Sequence, residues 1–429
     1  MVSIAKDMTE GKPFGLLVRF SVPLVLVNVL QMVYTIADGA VVGRILGVEA
    51  YASVGATGSI FWMVMGAVFG ITQGFGVVLA QRFGAKDLIG LRKSFATSLL
   101  LSAVIGVFIA IVGITCSRYV LVELKTPSEL LDNSTLFLCI LLGGMPITLI
   151  FNTLGAMLRA LGNSKTPLRS MIISTIVNIV MDIALVIPLG IAGVAIANLL
   201  AQVVASVYCA LRLHSIQEAH FTQHDFSVAA AKPLLRFGLP LGIRNTIVLA
   251  SGLAVQRFIN DYGTVFVAGV AVAKSMYTLL TIAASAVEAA ISTFVGQNFG
   301  AKKRERIKQG VRAGLLMMLT SSIMFAIIAI LFGHSLMQLL IAGEQTKLDV
   351  VLDIGQQQLN MIALGLPALC LLSLYRAALQ GMGNMIIPTL SGFLEVVGRF
   401  IAVWGLSSLC GIWGAYVADP VGWVPMSTT

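Results

Sequence analysis

The sequence has few charged residues, and this scarcity restricts its class more than any other feature. Only 11% of its 429 residues are Asp, Glu, Lys or Arg, whereas 58% are apolar. A soluble globular domain needs about a quarter charged residues to keep its surface compatible with water. The composition therefore excludes an ordinary soluble protein and predicts an integral membrane protein.

Cysteine and histidine are also scarce, with five and four residues respectively. The cysteines are scattered in apolar segments without the paired spacing of a metal site or a disulfide framework. Three histidines, His214, His220 and His224, are irregularly spaced in one polar stretch, which argues against a metal site there. We therefore expect no cofactor and no metal, apart from an ion that buried carboxylates could take up. The cysteines are Cys116, Cys139, Cys209, Cys370 and Cys410.

Long apolar runs are abundant. About twelve segments are long enough to cross a hydrocarbon core about 30 Å thick as helices. Their Leu, Val, Ile and Ala residues follow one another without the alternation of barrel strands. The pattern predicts an all-α membrane protein with about twelve transmembrane helices. The last one, from Gly411 to Val424, is short, and we expect it to be incomplete.

Basic residues are distributed unevenly among the predicted loops. With the N-terminus in the cytoplasm, most Lys and Arg residues fall on that side, as the positive-inside rule requires. We therefore expect both termini in the cytoplasm. The formal charge of +9 is then a topology signal rather than a nucleic-acid-binding surface.

The sequence contains an internal repeat. Residues 80–86 (AQRFGAK) return as residues 296–302 (GQNFGAK), and residues 17–23 (LVRFSVP) return as residues 234–240 (LLRFGLP). Each copy holds an even number of spans, so both copies insert with the same orientation about an axis along the membrane normal. We expect two pseudo-symmetric six-helix lobes, over 1–213 and 233–429, joined by a cytoplasmic linker over 214–232.

Two acids lie inside spans of the first copy, at Asp38 and Asp182, where the second copy has apolar residues. An ionised carboxylate at bilayer depth is costly, so such acids normally face a protein-lined or watery cavity and handle ions or protons. Asn178 lies four residues before Asp182 and shares its helix face. We expect a coupling site for H⁺ or Na⁺, both of which remain open, formed by Asp38, Asp182, Asn178 and Asn198.

Other polar residues inside spans are candidates for substrate binding or for structure. Pro23 predicts a bend in the first helix. Glu395 and Arg399 are four residues apart, and we interpret them as an intrahelical ion pair that stabilises the second copy. A purely structural role for the buried acids, as hydrogen-bonded packing residues, stays open. The predicted substrate-binding residues are Gln31, Tyr34, Asn152 and Glu288.

Four segments together resemble the multidrug and toxic compound extrusion (MATE) family. They are residues 36–44 (IADGAVVGR), 81–85 (QRFGA), 159–163 (RALGN) and 295–301 (VGQNFGA). The resemblance covers nearly the whole chain. It implies two six-helix lobes and export of cationic, amphipathic compounds by alternating access, driven by a gradient of H⁺ or Na⁺.

The resemblance also implies where the ion is bound. The first-helix pattern of the family falls on Gln31, Tyr34 and Asp38, and its fifth-helix pattern falls on Asn178 and Asp182. Some branches carry further acids in their seventh and tenth helices, which this chain lacks, so coupling through the first lobe is favoured. We therefore expect a monomeric antiporter of the plasma (inner) membrane whose partners are cationic drugs or dyes and lipids.

Glu288 matches an eighth-helix acid that is associated with substrate handling in some bacterial relatives. Two alternatives stay open: a flippase for lipid-linked precursors, which would favour a strongly basic cavity, and a non-transporting membrane protein, given the short last span. An enzyme is not expected, because no histidine lies inside a span to act as a base. The remaining histidine, His334, lies at a span end.

Overall fold

The computed structural model describes residues 6–216, 225–341 and 345–427, and over these ranges the chain is helical and has no strand. The predicted all-α fold is therefore confirmed. Part of the predicted linker, with His220 and His224, lies outside the described residues.

The helices follow one another with short connections. In the first half they are α1 (Pro13–Val41), α2 (Val48–Gly84), α3 (Leu88–Glu123), α4 (Ser128–Gly143), α5 (Met145–Ala160), α6 (Lys165–Leu189) and α7 (Ile191–His214). In the second half they are α8 (Val228–Asn260), α9 (Thr264–Gly300), α10 (Arg304–Gln338), α11 (Gln345–Gly381), α12 (Ile386–Phe400), α13 (Ser407–Cys410), α14 (Trp413–Tyr416) and α15 (Ala418–Ser427). Helices α1 and α12 each continue into a π-helical turn, at Val42–Leu46 and Ile401–Leu406.

Ten of the described helices are long and apolar enough to cross a membrane, or eleven if α4 and α5 form one span. The sequence predicted about twelve spans. The difference lies at the end of the described chain, where the last predicted span folds as α14 and the 10-residue helix α15. The short last helix agrees with the prediction, and the protein is a multi-pass membrane protein.

The fourth predicted span is bent, which the sequence analysis did not anticipate. Helices α4 and α5 meet at Gly144 with an angle of 47°. Pro146 has no N–H to donate to the preceding turn, so the helix cannot continue unchanged through this point. A side chain at Gly144 would overlap Leu199, and one at Gly106 would overlap the backbone of Pro146 at 2.5 Å. The bend therefore lets α5 pack closely on α3 and α7.

The contacts divide the chain into two compact units. Unit 1 comprises Met1–Gly11, Val22–Ile243 and Gly296–Lys303, and unit 2 comprises Lys12–Ser21, Arg244–Val295 and Arg304–Thr429. In unit 1, α6 packs along α7, and α5 contacts α2, α3 and α7. In unit 2, α10 packs along α11, and α15 contacts α11 and α12. The lobe boundaries predicted from the sequence stay a prediction.

Within unit 1, the two copies of the repeated motif lie against each other. A Cβ atom added at Gly84 would overlap the Gln297 carbonyl oxygen, and one added at Gly300 would overlap the Gln81 carbonyl oxygen. The two copies also end in the same turn, because Lys86 and Lys302 have φ values of 58° and 57°. Small residues at such crossings let helix backbones approach closely. The repeated glycines are therefore required by the crossing of α2 and α9.

The second copy of the motif also holds the chain's N-terminal segment in unit 1. The Met8 N–H donates to Oε1 of Gln297 over 2.8 Å, and Nε2 of Gln297 donates to the Ala160 carbonyl over 2.8 Å. Asn298 Nδ2 donates to the Met8 carbonyl over 3.2 Å. Gln297 and Asn298 are both 0% exposed, so these hydrogen bonds satisfy buried amides that would otherwise be costly.

Substituting either glycine of the crossing by alanine is expected to destabilise the protein. In Gly84→Ala and Gly300→Ala the new methyl group meets backbone atoms, which cannot move aside as a flexible side chain does. We expect a loss of about 1–3 kcal/mol, as for overpacked cores, read as a lower unfolding temperature in detergent. Gly55→Ala, also in α2, is the matched control, because nothing lies within 4 Å of its Cβ position. Equal unfolding temperatures for Gly84→Ala and Gly55→Ala would contradict the close contact of α2 and α9 at Gly84.

Candidate functional site

In unit 1, the Asp38 carboxylate is held by a hydrogen-bonded chain between α1 and α7. The Tyr34 hydroxyl donates to Oδ1 of Asn198, and Nδ2 of Asn198 donates to Oδ2 of Asp38 over 2.8 Å. Tyr34 and Asp38 are four residues apart and share one face of α1. One amide on α7 therefore orients both a phenol and a carboxylate.

Helix α6 supplies the second acid of this site. Asn178 and Asp182 are both 0% exposed, and both side chains lie close to the Asp38 carboxyl. Within the described residues, both oxygens of Asp182, both polar atoms of Asn178 and Oδ1 of Asp38 are buried and have no hydrogen-bond partner when both carboxyl groups are ionised. The structure thus brings together two carboxyl groups from different helices.

Buried polar atoms without partners are rare in native proteins because each costs free energy. Here they are oxygens of two carboxyl groups and one amide, which are the ligands that hard cations prefer. Two adjacent carboxyl groups also favour uptake of a shared proton, since like charges repel. Within the described residues, no group of three His, Cys, Asp or Glu side chains could hold a metal ion. The arrangement suits a proton or an alkali cation.

Three other predicted residues are placed outside this cluster. Gln31 is exposed, and its backbone carbonyl accepts a hydrogen bond from Thr35. The Asn152 amide donates to the Thr148 carbonyl of its own helix over 2.8 Å, so it does not bind either carboxylate. Pro23 is buried inside a continuous α1. The substrate-binding and bending roles predicted for these residues remain predictions.

Glu288 belongs to unit 2, on α9. The sequence showed no partner for it at helical spacing. In the structure, the charged groups that act on it are Arg244, Arg376 and Glu395, which lie on α8, α11 and α12. Within the described residues, no basic group lies within 4 Å of its carboxylate to form an ion pair, and the side chain is half-buried.

The predicted pair of Glu395 and Arg399 is present, with Oε1 and Nη2 3.0 Å apart. It is part of a larger network that sequence analysis missed. Oε2 of Glu395 accepts from Nη1 of Arg376 over 2.9 Å, and Nε of Arg399 lies 3.0 Å from Oδ1 of Asp419. These partners lie on three helices, and their spacing along the chain does not predict that they contact one another.

The chain matches a known family in both halves. The MatE family model matches residues 23–184 and 240–404, which together make up more than half of the chain. One match falls on each copy of the internal repeat.

Named relatives and a solved structure match over most of the chain. It is 27% identical over 419 residues to "Probable multidrug resistance protein YoeA" of Bacillus subtilis, covering 93% of this chain and 89% of that protein. It is 23% identical over 430 residues to "Multidrug export protein MepA" of Staphylococcus haemolyticus, covering 96% and 92%. An aspartate-to-asparagine mutant of the Vibrio cholerae MATE transporter VcmN superposes with a TM-score of 0.89, at 19% identity, over 97% of this chain and 94% of that one. This structural likeness shows a shared fold.

Proposed function

The chain belongs to the MatE family of membrane transporters, and from this premise we propose that it is a secondary active antiporter. In the proposed cycle it exports cationic, amphipathic compounds in exchange for H⁺ or Na⁺ by alternating access. Its relatives YoeA and MepA are described as multidrug resistance and multidrug export proteins, which supports export of more than one compound. The proposed location is the plasma (inner) membrane, with both termini in the cytoplasm and the protein acting as a monomer.

One observation carries the proposal. Two carboxyl groups inside the membrane-spanning helices, Asp38 on α1 and Asp182 on α6, lie close together, and no donor among the described residues reaches three of their four oxygens. A group that served only to pack helices would have its hydrogen bonds satisfied. Carboxylates with unused oxygens can instead take up a cation in one step and release it in the next.

Coupling follows if the ion and the exported compound use the same negative charge. A cation bound at Asp38 and Asp182 lowers the affinity for a cationic substrate, and by linkage the substrate lowers the affinity for the ion by the same factor. Each ligand shifts the equilibrium between the two conformations of the protein only by the difference between its affinities for them. Tyr34 and Asn198 hold Asp38 in place during this exchange.

The remaining predicted residues have proposed roles in substrate binding. Gln31, Tyr34 and Asn152 are the residues of unit 1 proposed to bind substrate, and Glu288 is the residue of unit 2 proposed to do so. Asn178 would supply a neutral oxygen to the ion, because its amide oxygen has no partner among the described residues. No cofactor enters the proposed cycle other than the coupling ion.

Reconstituted protein tests both the antiport and the ion. The purified full chain is placed in proteoliposomes with a fluorescent cationic dye, and a pH gradient and a Na⁺ gradient are imposed separately. We expect one of the two gradients to drive dye movement against its concentration and its dissipation to stop it. Liposomes without protein are the control. Dye movement that follows neither gradient, while the protein is folded, would rule out the antiport.

A further inference from the structure

The segment before the first helix, residues 6–9, is held in unit 1 at the ends of α5 and α9. The Lys6 N–H donates to the Leu161 carbonyl over 2.8 Å, and a Cβ atom added at Gly162 would overlap the Lys6 carbonyl oxygen. Met8 is only 1% exposed. Segments outside the first helix are commonly exposed and poorly held, so the burial of this one requires an explanation.

The end of α9 binds the segment from the other side. Consecutive amides bind both backbone groups of Met8, because its N–H donates to Gln297 and its carbonyl accepts from Asn298. Nζ of Lys303 donates to the Thr9 carbonyl over 3.0 Å and to the Thr9 hydroxyl over 3.2 Å. Gln297 also donates to the carbonyl of the last residue of α5. We call residues 6–9, joined in this way to α5 and α9, the clasp.

Helix α9 contributes to both compact units. Its residues up to Val295 lie in unit 2, whereas Gly296–Lys303, which form its end and the following turn, lie in unit 1. The helix has no proline between Thr264 and Gly300 at which it would kink. A displacement of α9 is therefore transmitted to the side chains at its end that bind the clasp.

The bonds of the clasp can be exchanged for bonds to water. Asp7, Glu10 and Lys302 are charged and exposed next to it, and such residues place this region outside the hydrocarbon core. A hydrogen bond that is replaced by one to water changes the free energy only modestly, whereas a polar group released into lipid would be costly. The clasp can therefore open without leaving its polar groups unsatisfied.

We propose that the clasp is releasable and opens once in each transport cycle, when α9 moves. In the structure it is closed, and its opening exposes Met8 together with the amides of Gln297 and Asn298. This inference rests on the proposed transport by alternating access and adds to it a specific contact that must break before the cycle continues. A purely structural contact would instead keep Met8 buried in every state.

Thiol labelling tests the release. Met8→Cys and Glu10→Cys are made separately in the full chain, and the purified proteins react with a maleimide at pH 7.5. Mass spectrometry of the N-terminal peptide gives the rate at each position, with exposed residue 10 as the reference for intrinsic reactivity. We expect residue 8 to react roughly 10- to 100-fold more slowly, as for a minor open state. A cationic dye or Na⁺ should change the ratio of the two rates about tenfold by shifting the population of that state.

Two neighbouring lysines provide a matched pair of variants. Lys303→Met, added to Met8→Cys, removes both hydrogen bonds to Thr9 and should raise labelling of residue 8 about fivefold, the effect of losing one net hydrogen bond. Lys302→Met removes an exposed lysine whose side chain forms no hydrogen bond within the described residues, and it should leave labelling unchanged. Equal unfolding temperatures of the two variants show that the difference does not come from loss of the fold.

Three results would overturn the proposal: a rate ratio that is the same with and without dye and Na⁺, equal rates at residues 8 and 10 in all conditions, or equal labelling in the two lysine variants. Dye movement by the wild-type protein in proteoliposomes is measured in parallel. If dye moves but the ratio is constant, the transport function stands and this inference fails. If the ratio responds to ligand but dye follows neither gradient, the antiport fails and the clasp is a ligand-controlled switch. If neither occurs, both fail.

Discussion

Replacing Asp38 or Asp182 by asparagine is expected to reduce ion-driven efflux of a cationic dye to the level of cells without the protein. Asparagine keeps the shape of the side chain but cannot change its charge, and the proposed coupling needs a group that is neutralised in one state and charged in the other. The measurement is dye efflux from a drug-sensitive bacterium, with the amount of membrane-inserted protein determined for each variant.

The stability of the same variants distinguishes coupling from packing. In the part of the chain that the structure describes, the buried carboxyl oxygens of Asp182 have no hydrogen-bond partner, so a neutral amide in their place should leave the unfolding temperature unchanged or raise it. A packing role predicts the opposite, a loss of stability. Loss of efflux with unchanged or higher stability therefore supports coupling.

The expected effects are also non-additive. If Asp38 and Asp182 act as one unit, the double variant should be no more defective than either single variant. Asn198→Ala should reduce efflux less, because it removes the hydrogen bond that orients Asp38 but leaves both charges. Asp132→Asn is the matched control, since its side chain is 84% exposed and pairs only at the surface with Arg118. Full efflux in the double variant would end the coupling proposal.

The fold was predictable because the membrane-spanning segments are surrounded by lipid rather than water. Only helices satisfy their backbone groups within a bilayer, so long apolar runs specify helices wherever they occur. The repeat was equally readable, since 80–86 and 296–302 are nearly identical strings. The family match in each half, at 23–184 and 240–404, agrees with it.

The bend between α4 and α5 was not predicted, although its residues were visible. Pro146 lies one residue after Met145, in a run apolar enough to be read as one uninterrupted span. Proline in a membrane helix is often tolerated because neighbouring groups satisfy the freed backbone. Whether the helix breaks depends on packing against Gly106 and Leu199, which belong to other helices.

The candidate site was likewise predictable only where its residues share one helix. Pairs on one helix, such as Tyr34 with Asp38 and Asn178 with Asp182, were readable from the spacing of four residues. Asn152 has the same polarity and also lies in a span, but its amide is satisfied by its own helix. The direction in which a side chain points from a bent helix depends on tertiary packing, so it could not be predicted from the sequence.

The repeated motif shows a different limit. Its recurrence was obvious, but its physical role required the contacts of Gly84 and Gly300 with the opposite backbone. Likewise, the amides of Gln297 and Asn298 gained a role only when the structure placed Met8 between them. A repeat reveals that two segments are equivalent, whereas their contact must be observed.

Replacing Glu395 by glutamine is expected to destabilise the protein strongly, the reverse of the effect expected at Asp182. Glu395 is 4% exposed and neutralises two guanidinium groups at once. Without its charge, Arg376 and Arg399 remain buried with less compensation and repel each other. Removing one member of a buried ion pair costs roughly 3–5 kcal/mol. The measurement is thermal unfolding of the purified protein in detergent.

Two further variants make this expectation specific to the ion pairs. Asp419→Asn removes an acid that is 37% exposed on its side chain, where solvent screens the interaction, so it should lose much less stability than Glu395→Gln. Arg399→Gln added to Glu395→Gln should restore part of the lost stability, because it removes one of the two stranded charges. A Glu395→Gln protein as stable as the wild type would show that the network contributes nothing to folding. Glu395, which is ion-paired through both oxygens, and Asp182, which has no hydrogen-bond partner among the described residues, would then not differ in their effect on stability.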